Sequence, residues 1–329
     1  MSPVNLKRTT TNKGRYYEWR AEDGKFWSVT TIVNGGLPKP VLVNWAKKYV
    51  ATYAVENIGK LNALLDPGDT GFVDTEGAIG WLKESPYRDR DRRGALGTLV
   101  HDAAEAYILG KPYPDWTSDM RPRMEQFVKF LEDWQPDYMD GMVEAPVYNR
   151  AERYAGTLDG ICTLGGYPNG TTVLIDYKTG KGVYPEVALQ LAAYRHAEFI
   201  GAPDGSEIPM PAVDACVVLH IPDEGEYQLI EVRADDEVFQ AFKYVREVFR
   251  FMEETSKRVL LGPFPSTLES AISKGVMPSA APDDLLVSNL HGDPGATDTQ
   301  APGPLSQDPV EQLGIATVAR GQTDLPERY

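Results

Sequence analysis

Cysteine is nearly missing: Cys162 and Cys216 are the only two in 329 residues, each inside an apolar, strand-like run. They form no CxxC pair and no zinc-ligand spacing, so they read as small buried side chains. No run of about 18 apolar residues occurs, which excludes a membrane-spanning helix. The opening stretch MSPVNLKRTTTNKGRYYEW has no apolar segment of a secretory signal, so a cytoplasmic location is expected. Basic residues are also few, 33 against 48 acidic, giving a net charge of −15. That balance disfavours broad, non-specific capture of nucleic acid. The deficit is uneven. Three of the basic and nine of the acidic residues lie from Gly262 onward, leaving −9 for the rest. A phosphate-cradling loop is absent too, since Gly180-Lys181 is followed by Gly182 and lacks the leading glycine.

What remains is an ordinary globular composition, 42% hydrophobic and 25% charged, in a length that suits about two average domains. Residues 15–33 read as an aromatic and β-branched hairpin turning at Asp23-Gly24. Pro40 starts an amphipathic helix marked by Leu42, Trp45, Tyr49 and Tyr53. Residues 59–75 read as an irregular connection and 76–84 as a short helix. Helices follow over 95–109 and 119–134, then strands over 142–148, 154–164 and 172–178. Pro168-Asn169-Gly170 is a turn between the last two. A helix over 185–200, a hairpin of 213–221 with 226–233, and a helix over 235–260 complete the pattern. This order predicts an α/β (α+β) domain with a central mixed sheet flanked by helices. Beyond about 275 the chain is dense in Pro, Gly, Asp, Ala, Ser and Thr, which predicts disorder around a transient helix at 310–318.

Three short segments carry chemistry. In Leu174-Ile175-Asp176-Tyr177-Lys178-Thr179-Gly180, strand alternation puts Asp176 and Lys178 on one side. A same-face ion pair is the plain alternative. Gly156-Thr157-Leu158-Asp159-Gly160 embeds an acid between glycines, leaving room for a ligand, or simply marks a strand end. His101 and Glu105 are four apart on a helix and share a face, while Asp102 faces solvent. A histidine satisfied in the core is the plain alternative there. Gln190 and Tyr194 are likewise four apart, a spacing that ordinary helix packing also explains.

Taken in order, GTxxHxxxE, GTLD, DxKTG and QxxxY resemble the RecB-like branch of the PD-(D/E)XK nuclease superfamily. That branch includes phage exonucleases and the nuclease of CRISPR adaptation. The resemblance spans about residues 94–233, and the segments SVTTI (28–32) and KPxLxxWAxK, which starts at Lys39, look like phage members as well. It implies a restriction-endonuclease-like core over 94–262, with 1–93 as a hairpin and helices packed on it and 263–329 as linker and disordered acidic tail. It implies Mg²⁺ or Mn²⁺ held by His101, Asp159, Asp176 and the carbonyl of Tyr177, with Lys178 orienting the attacking water. Glu105 would support the site and Glu144 is a weaker candidate for it. Gln190 and Tyr194 would face DNA and the site. Phosphate contacts would come from Arg93, Arg150, Arg153, Lys181 and Arg195, whereas the alternating run 88–93 also fits a solvated surface. The CRISPR-adaptation relatives carry four cysteines for an iron–sulfur cluster, which two strand cysteines cannot supply, so no such cluster is expected. The implied activity is a DNA exonuclease acting on free ends, in a bacterial host cell if phage-encoded. A recombinase or single-strand-annealing protein would be its partner. A structure-selective endonuclease and a catalytically silent DNA- or protein-binding module are the competing readings.

Overall fold

The computed structural model describes residues 6–260, apart from residues 12, 69, 70 and 72; the 263–329 tail and the helix expected at 310–318 lie outside them. Strands β1 (Lys7–Thr11), β2 (Gly14–Glu18) and β3 (Phe26–Ser28) form an antiparallel meander, with Gly24 at φ +68° in the expected turn. The SVTTIV segment does not continue as strand. It becomes helix α1 (Val29–Gly36), because Ser28 caps it by accepting from the Thr31 N–H at 3.0 Å. Val29, Ile32 and Val33 then share a buried face, so cap and spacing overrule β-branched propensity.

Helix α2 (Pro40–Glu56) starts at its proline as predicted. The supposed irregular connection holds helix α3 (Ile58–Leu65), whose Ile58, Leu61 and Leu65 recur at helical spacing. Helix α4 (Thr75–Lys83) is capped by Asp74. Helix α5 (Ser85–Ile108) starts a full ten residues before the expected 95 and absorbs the alternating run 88–93. Helix α6 (Arg121–Trp134) ends at Gln135, which takes a left-handed φ of 43° before Pro136.

The remaining elements are β4 (Asp137–Asn149), β5 (Tyr154–Thr163), β6 (Val173–Lys178), α7 (Val187–Arg195), β7 (Phe199–Gly201), β8 (Glu207–Pro209), β9 (Ala215–His220), β10 (Gln228–Glu231) and α8 (Asp236–Glu253). The helix expected to reach 200 stops at Arg195. Phe199 instead pairs with Tyr148 on β4 and stacks on its ring at 5.1 Å, a tertiary contact that local periodicity does not encode. All ten strands join one mixed sheet, in which β3–β5 and β6–β9 are parallel and the other pairs antiparallel. The fold is thus α/β with a mixed central sheet flanked by helices. One face carries a core that includes Val29, Leu191 and Phe242, from α1, α7 and α8. The other carries Val100, Ala103, Phe127 and Phe130 from α5 and α6. Among the described residues no helix is long and apolar enough to cross a membrane.

Strand β5 pairs along its length with β4, but its other edge is shared: β3 takes residues 154–155 and β6 takes 160–162. Asp159 stands in the gap between them.

The N-terminal meander is tied down by Arg150, which donates to Asp23 at 3.0 and 3.1 Å and to Glu207 at 2.6 and 2.9 Å. Hydrogen bonds from Arg150, aided by Trp19 Nε1–H and the charge of Arg20, hold the Glu207 carboxyl at about 2. A depressed carboxyl contributes stability above its unfolded value, near 4.5, and loses it as pH falls toward 2. Glu207→Gln is therefore expected to lower the melting temperature at pH 7 by roughly 2–4 °C, about 1 kcal/mol in a chain of this size. The difference from wild type should vanish by about pH 2 in a calorimetric pH series, and a constant difference would disprove the pairing.

Candidate metal centre

Strand β6 is buried on both faces, and alternation sends Val173, Ile175 and Tyr177 into the α5–α6 core. The Tyr177 ring packs edge-on against Phe127 at 5.6 Å, and its hydroxyl meets that of Tyr138 at 2.6 Å. That anchored ring fixes the backbone beside it. Where the β5–β6 ladder ends, at Gly160↔Ile175, the Tyr177 N–H donates to Asp159 Oδ2 at 2.5 Å. The other carboxylate oxygen, Oδ1, lies 3.4 Å from His101 Nδ1.

His101 is on α5, next to the buried Val100 and Ala103, with its ring centroid 5.8 Å from that of Tyr177. Its Nδ1 is also 3.7 Å from Glu144 Oε1. Glu144 lies on β4 between the pairs Val143↔Gly160 and Ala145↔Leu158, directly across from Asp159. The register of β4 shifts between Tyr138 and Val143, and Glu144 itself has φ +50°. A left-handed φ in a non-glycine residue is strained, and here it accompanies a side chain aimed toward His101. His101, Glu144 and Asp159 each offer a ligand atom, and these lie within 4.8 Å of one another. One imidazole and two carboxylates fit a divalent cation.

Asp176 stands beside this cluster but faces elsewhere. Gln190 Nε2 donates to its Oδ1 at 2.7 Å, and Lys178 Nζ lies 2.6 Å from its Oδ2. That oxygen is buried and makes no hydrogen bond of proper angle, so the ammonium only neutralises it. Asp159 is 8% exposed and Asp176 2%. A buried carboxylate without partners costs several kcal/mol, and both of these have them. Burial alone would raise the Asp159 carboxyl, but His101, Lys178 and the Tyr177 N–H together hold it below the ordinary range. Burial and the neighbouring Asp159 push Asp176 the other way, upward, against Lys178. Lys178 is half-buried, and the lost hydration would lower it, yet Asp176 and Asp159 raise it and keep it protonated. Burial likewise works against the charged His101 ring, and Asp159 and Glu144 outweigh it, raising His101 well above its usual value. Cation binding therefore requires His101 to lose its proton.

No protein-family model matches the chain, and no curated protein matches it significantly.

The structure brings His101, Asp159, Asp176, Tyr177, Lys178 and Gln190 together, and it adds Glu144 as a full member of the cluster. The sequence signal for Glu144 was only its place on a strand before GTLD. Glu105 shares the helix face with His101 but turns to Lys111, whose Nζ is 2.7 Å away. Its charge still adds to the upward push on Glu144, which comes mainly from burial. The expected DNA-facing position of Tyr194 is corrected: its ring is 3% exposed and sits against Gly156, where a Cβ would come within 2.4 Å of it. Only a glycine permits that approach. Gln190 is the member of the pair that reaches the site, and it donates to the Tyr194 hydroxyl at 3.4 Å.

Several expected phosphate contacts are engaged otherwise. Arg150 is committed to Asp23 and Glu207, Arg153 lies over the Phe26 ring, and Arg93 pairs with Asp89. Arg195 donates to the Ala234 carbonyl, while Lys181 is exposed just beyond β6. Both cysteines are buried, and burial pushes each thiol up to about 12.

Proposed function

We propose that the chain is a Mg²⁺- or Mn²⁺-dependent deoxyribonuclease with a core of the PD-(D/E)XK type. The observation that carries this reading is the juxtaposition of two buried carboxylates, Asp159 and Asp176, with the Lys178 ammonium 2.6 Å from the second. A bound divalent cation would polarise a phosphoryl oxygen and acidify a water for attack on phosphorus. His101, Glu144 and Asp159 would hold it beside the Tyr177 backbone, while Asp176, expected as a further ligand, is engaged by Gln190 and Lys178 and would position Lys178 instead. Lys178, kept protonated by its carboxylate neighbours, orients the attacking water and offsets charge developing on the phosphate. Gln190 bridges Asp176 and Lys178, its Oε1 accepting from Lys178 Nζ at 3.4 Å, and so fixes both. Glu105 acts only through its charge on Glu144.

One such cluster among the described residues suits cutting one strand at a time. The net charge of −15 disfavours electrostatic capture of internal duplex, which supports an exonuclease acting on free ends rather than a structure-selective endonuclease. A recombinase or single-strand-annealing protein is the partner that suits this activity. With Mg²⁺ or Mn²⁺, a linearised plasmid is expected to disappear at least about tenfold faster than the same plasmid as a covalently closed circle. Equal rates would leave the endonuclease, and no cleavage of either form would leave a silent binding module.

A further inference from the structure

Two glycines beside the metal centre serve no need of the chain itself. Gly180 and Gly182 flank Lys181 in the turn that leaves β6 just after Lys178. A Cβ at either position would meet nothing within 4 Å, and neither residue has a left-handed φ. Close packing and special backbone geometry, two usual grounds for glycine, are both missing here. A third is left: a ligand that comes close to the backbone.

A flexible hinge would also use glycines, but this turn is held from two sides. His220, the last residue of β9, is 7% exposed, and its Nε2 lies 2.9 Å from the Gly180 carbonyl. A carbonyl can only accept, so Nε2 carries the proton and donates. The Ile221 N–H donates to the Lys178 carbonyl at 2.8 Å and fixes the entry to the turn. From α5, Gly97 meets Thr179: a Cβ there would be 3.1 Å from the Thr179 Oγ1. Gly97 precedes His101 by four residues, so the two share a helix face about 6 Å apart along the axis. The turn therefore stands about one helical turn from the histidine of the metal triad.

Its donors are unused. Among the described residues, the backbone N–H groups of Gly180, Lys181 and Gly182 make no hydrogen bond. Lys181 is exposed and forms no ion pair among them. Successive unbonded N–H groups with a cation in their midst suit an anion, and the bare glycines let it approach them. The turn lacks the leading glycine of a nucleoside-triphosphate loop. A single phosphate group is what three such donors and one ammonium fit.

We propose that the Gly180-Lys181-Gly182 turn, clamped by His220, binds the substrate phosphate that neighbours the one being cut. That this phosphate belongs to the DNA strand under attack rests on the nuclease reading.

The test is fluorescence anisotropy of a labelled 20-nucleotide DNA, single-stranded and as a duplex, with the full chain in EDTA and again in Ca²⁺. Cleavage of linear DNA in Mg²⁺ or Mn²⁺ is measured beside it. Gly180→Ala/Gly182→Ala should keep the wild-type melting temperature and Mn²⁺ affinity, because each methyl enters open space. It should weaken DNA binding about tenfold, as the methyls hold the phosphate off the N–H groups. Lys181→Gln should weaken binding and reduce the salt slope by about 1. His220→Met should also weaken it, and His220→Gln, whose amide N–H can replace the imidazole donor, should restore it. Wild-type affinity in both the double-alanine and the Lys181 variant would overturn the phosphate site, whether or not the chain cleaves DNA. So would a double-alanine variant that melts several degrees lower, since the fold would then need the glycines. Failure of the wild type to bind either form of DNA would overturn it as well. Binding that these variants weaken, without cleavage under either cation, would sink the nuclease reading and leave the phosphate site standing.

Discussion

Asp159→Ala is expected to abolish Mn²⁺ binding by calorimetry and to lower DNA hydrolysis by on the order of 10³-fold or more. Asp159 is the hub of the cluster: one oxygen faces His101 at 3.4 Å and the other takes the Tyr177 N–H at 2.5 Å. Alanine also leaves that buried N–H without its acceptor, at a cost of roughly 1–3 kcal/mol, so part of any loss would be structural. Asp159→Asn separates the two effects. An amide oxygen still accepts from Tyr177, while the negative charge and its hold on a cation are gone. The asparagine variant should melt close to wild type and still fail to bind Mn²⁺. Wild-type Mn²⁺ affinity in that variant would remove Asp159 from the metal centre and with it the reading of the whole cluster.

Lys178→Gln should separate chemistry from binding. Lys178 lies against Asp176, outside the His101–Glu144–Asp159 triad, so cation affinity should stay within a few-fold of wild type. Single-turnover cleavage should fall on the order of 10²–10³-fold, the usual cost of removing a group that stabilises developing charge. If Lys178 only neutralised a buried carboxylate, the same change would lower the melting temperature and leave turnover intact once the protein is folded. Measuring both quantities on one preparation decides between the roles.

The local half of this site was legible because it depends only on backbone geometry. Alternation on a strand put Asp176 and Lys178 on one side, and three-to-four-residue spacing put His101 and Glu105 on one helix face. The same rules recovered α2, α4 to α6, β4 to β6, α7, β9, β10 and α8 in order, and missed α3, β7 and β8. They failed where a local signal competed with a cap or a distant partner. Ser28 turned a β-branched run into α1, and pairing with Tyr148 drew Phe199 out of the expected helix.

Helical spacing could place Gln190 and Tyr194 together but not say which one packs inward. That was settled by Gly156, a glycine 38 residues earlier whose missing side chain admits the Tyr194 ring.

What the sequence by itself determined is the chemistry available: two carboxylates and a lysine on neighbouring strands, and a histidine on a helix before them. Steric period and residue type fix these without reference to any partner. Tertiary structure alone decided that Glu144 joins His101 and Asp159. That choice needs the antiparallel register of β4 on β5, the left-handed backbone of Glu144 within it, and α5 packed over Tyr177. Each is a relation between segments far apart in the chain, set by which surfaces bury each other rather than by the order of residues within one.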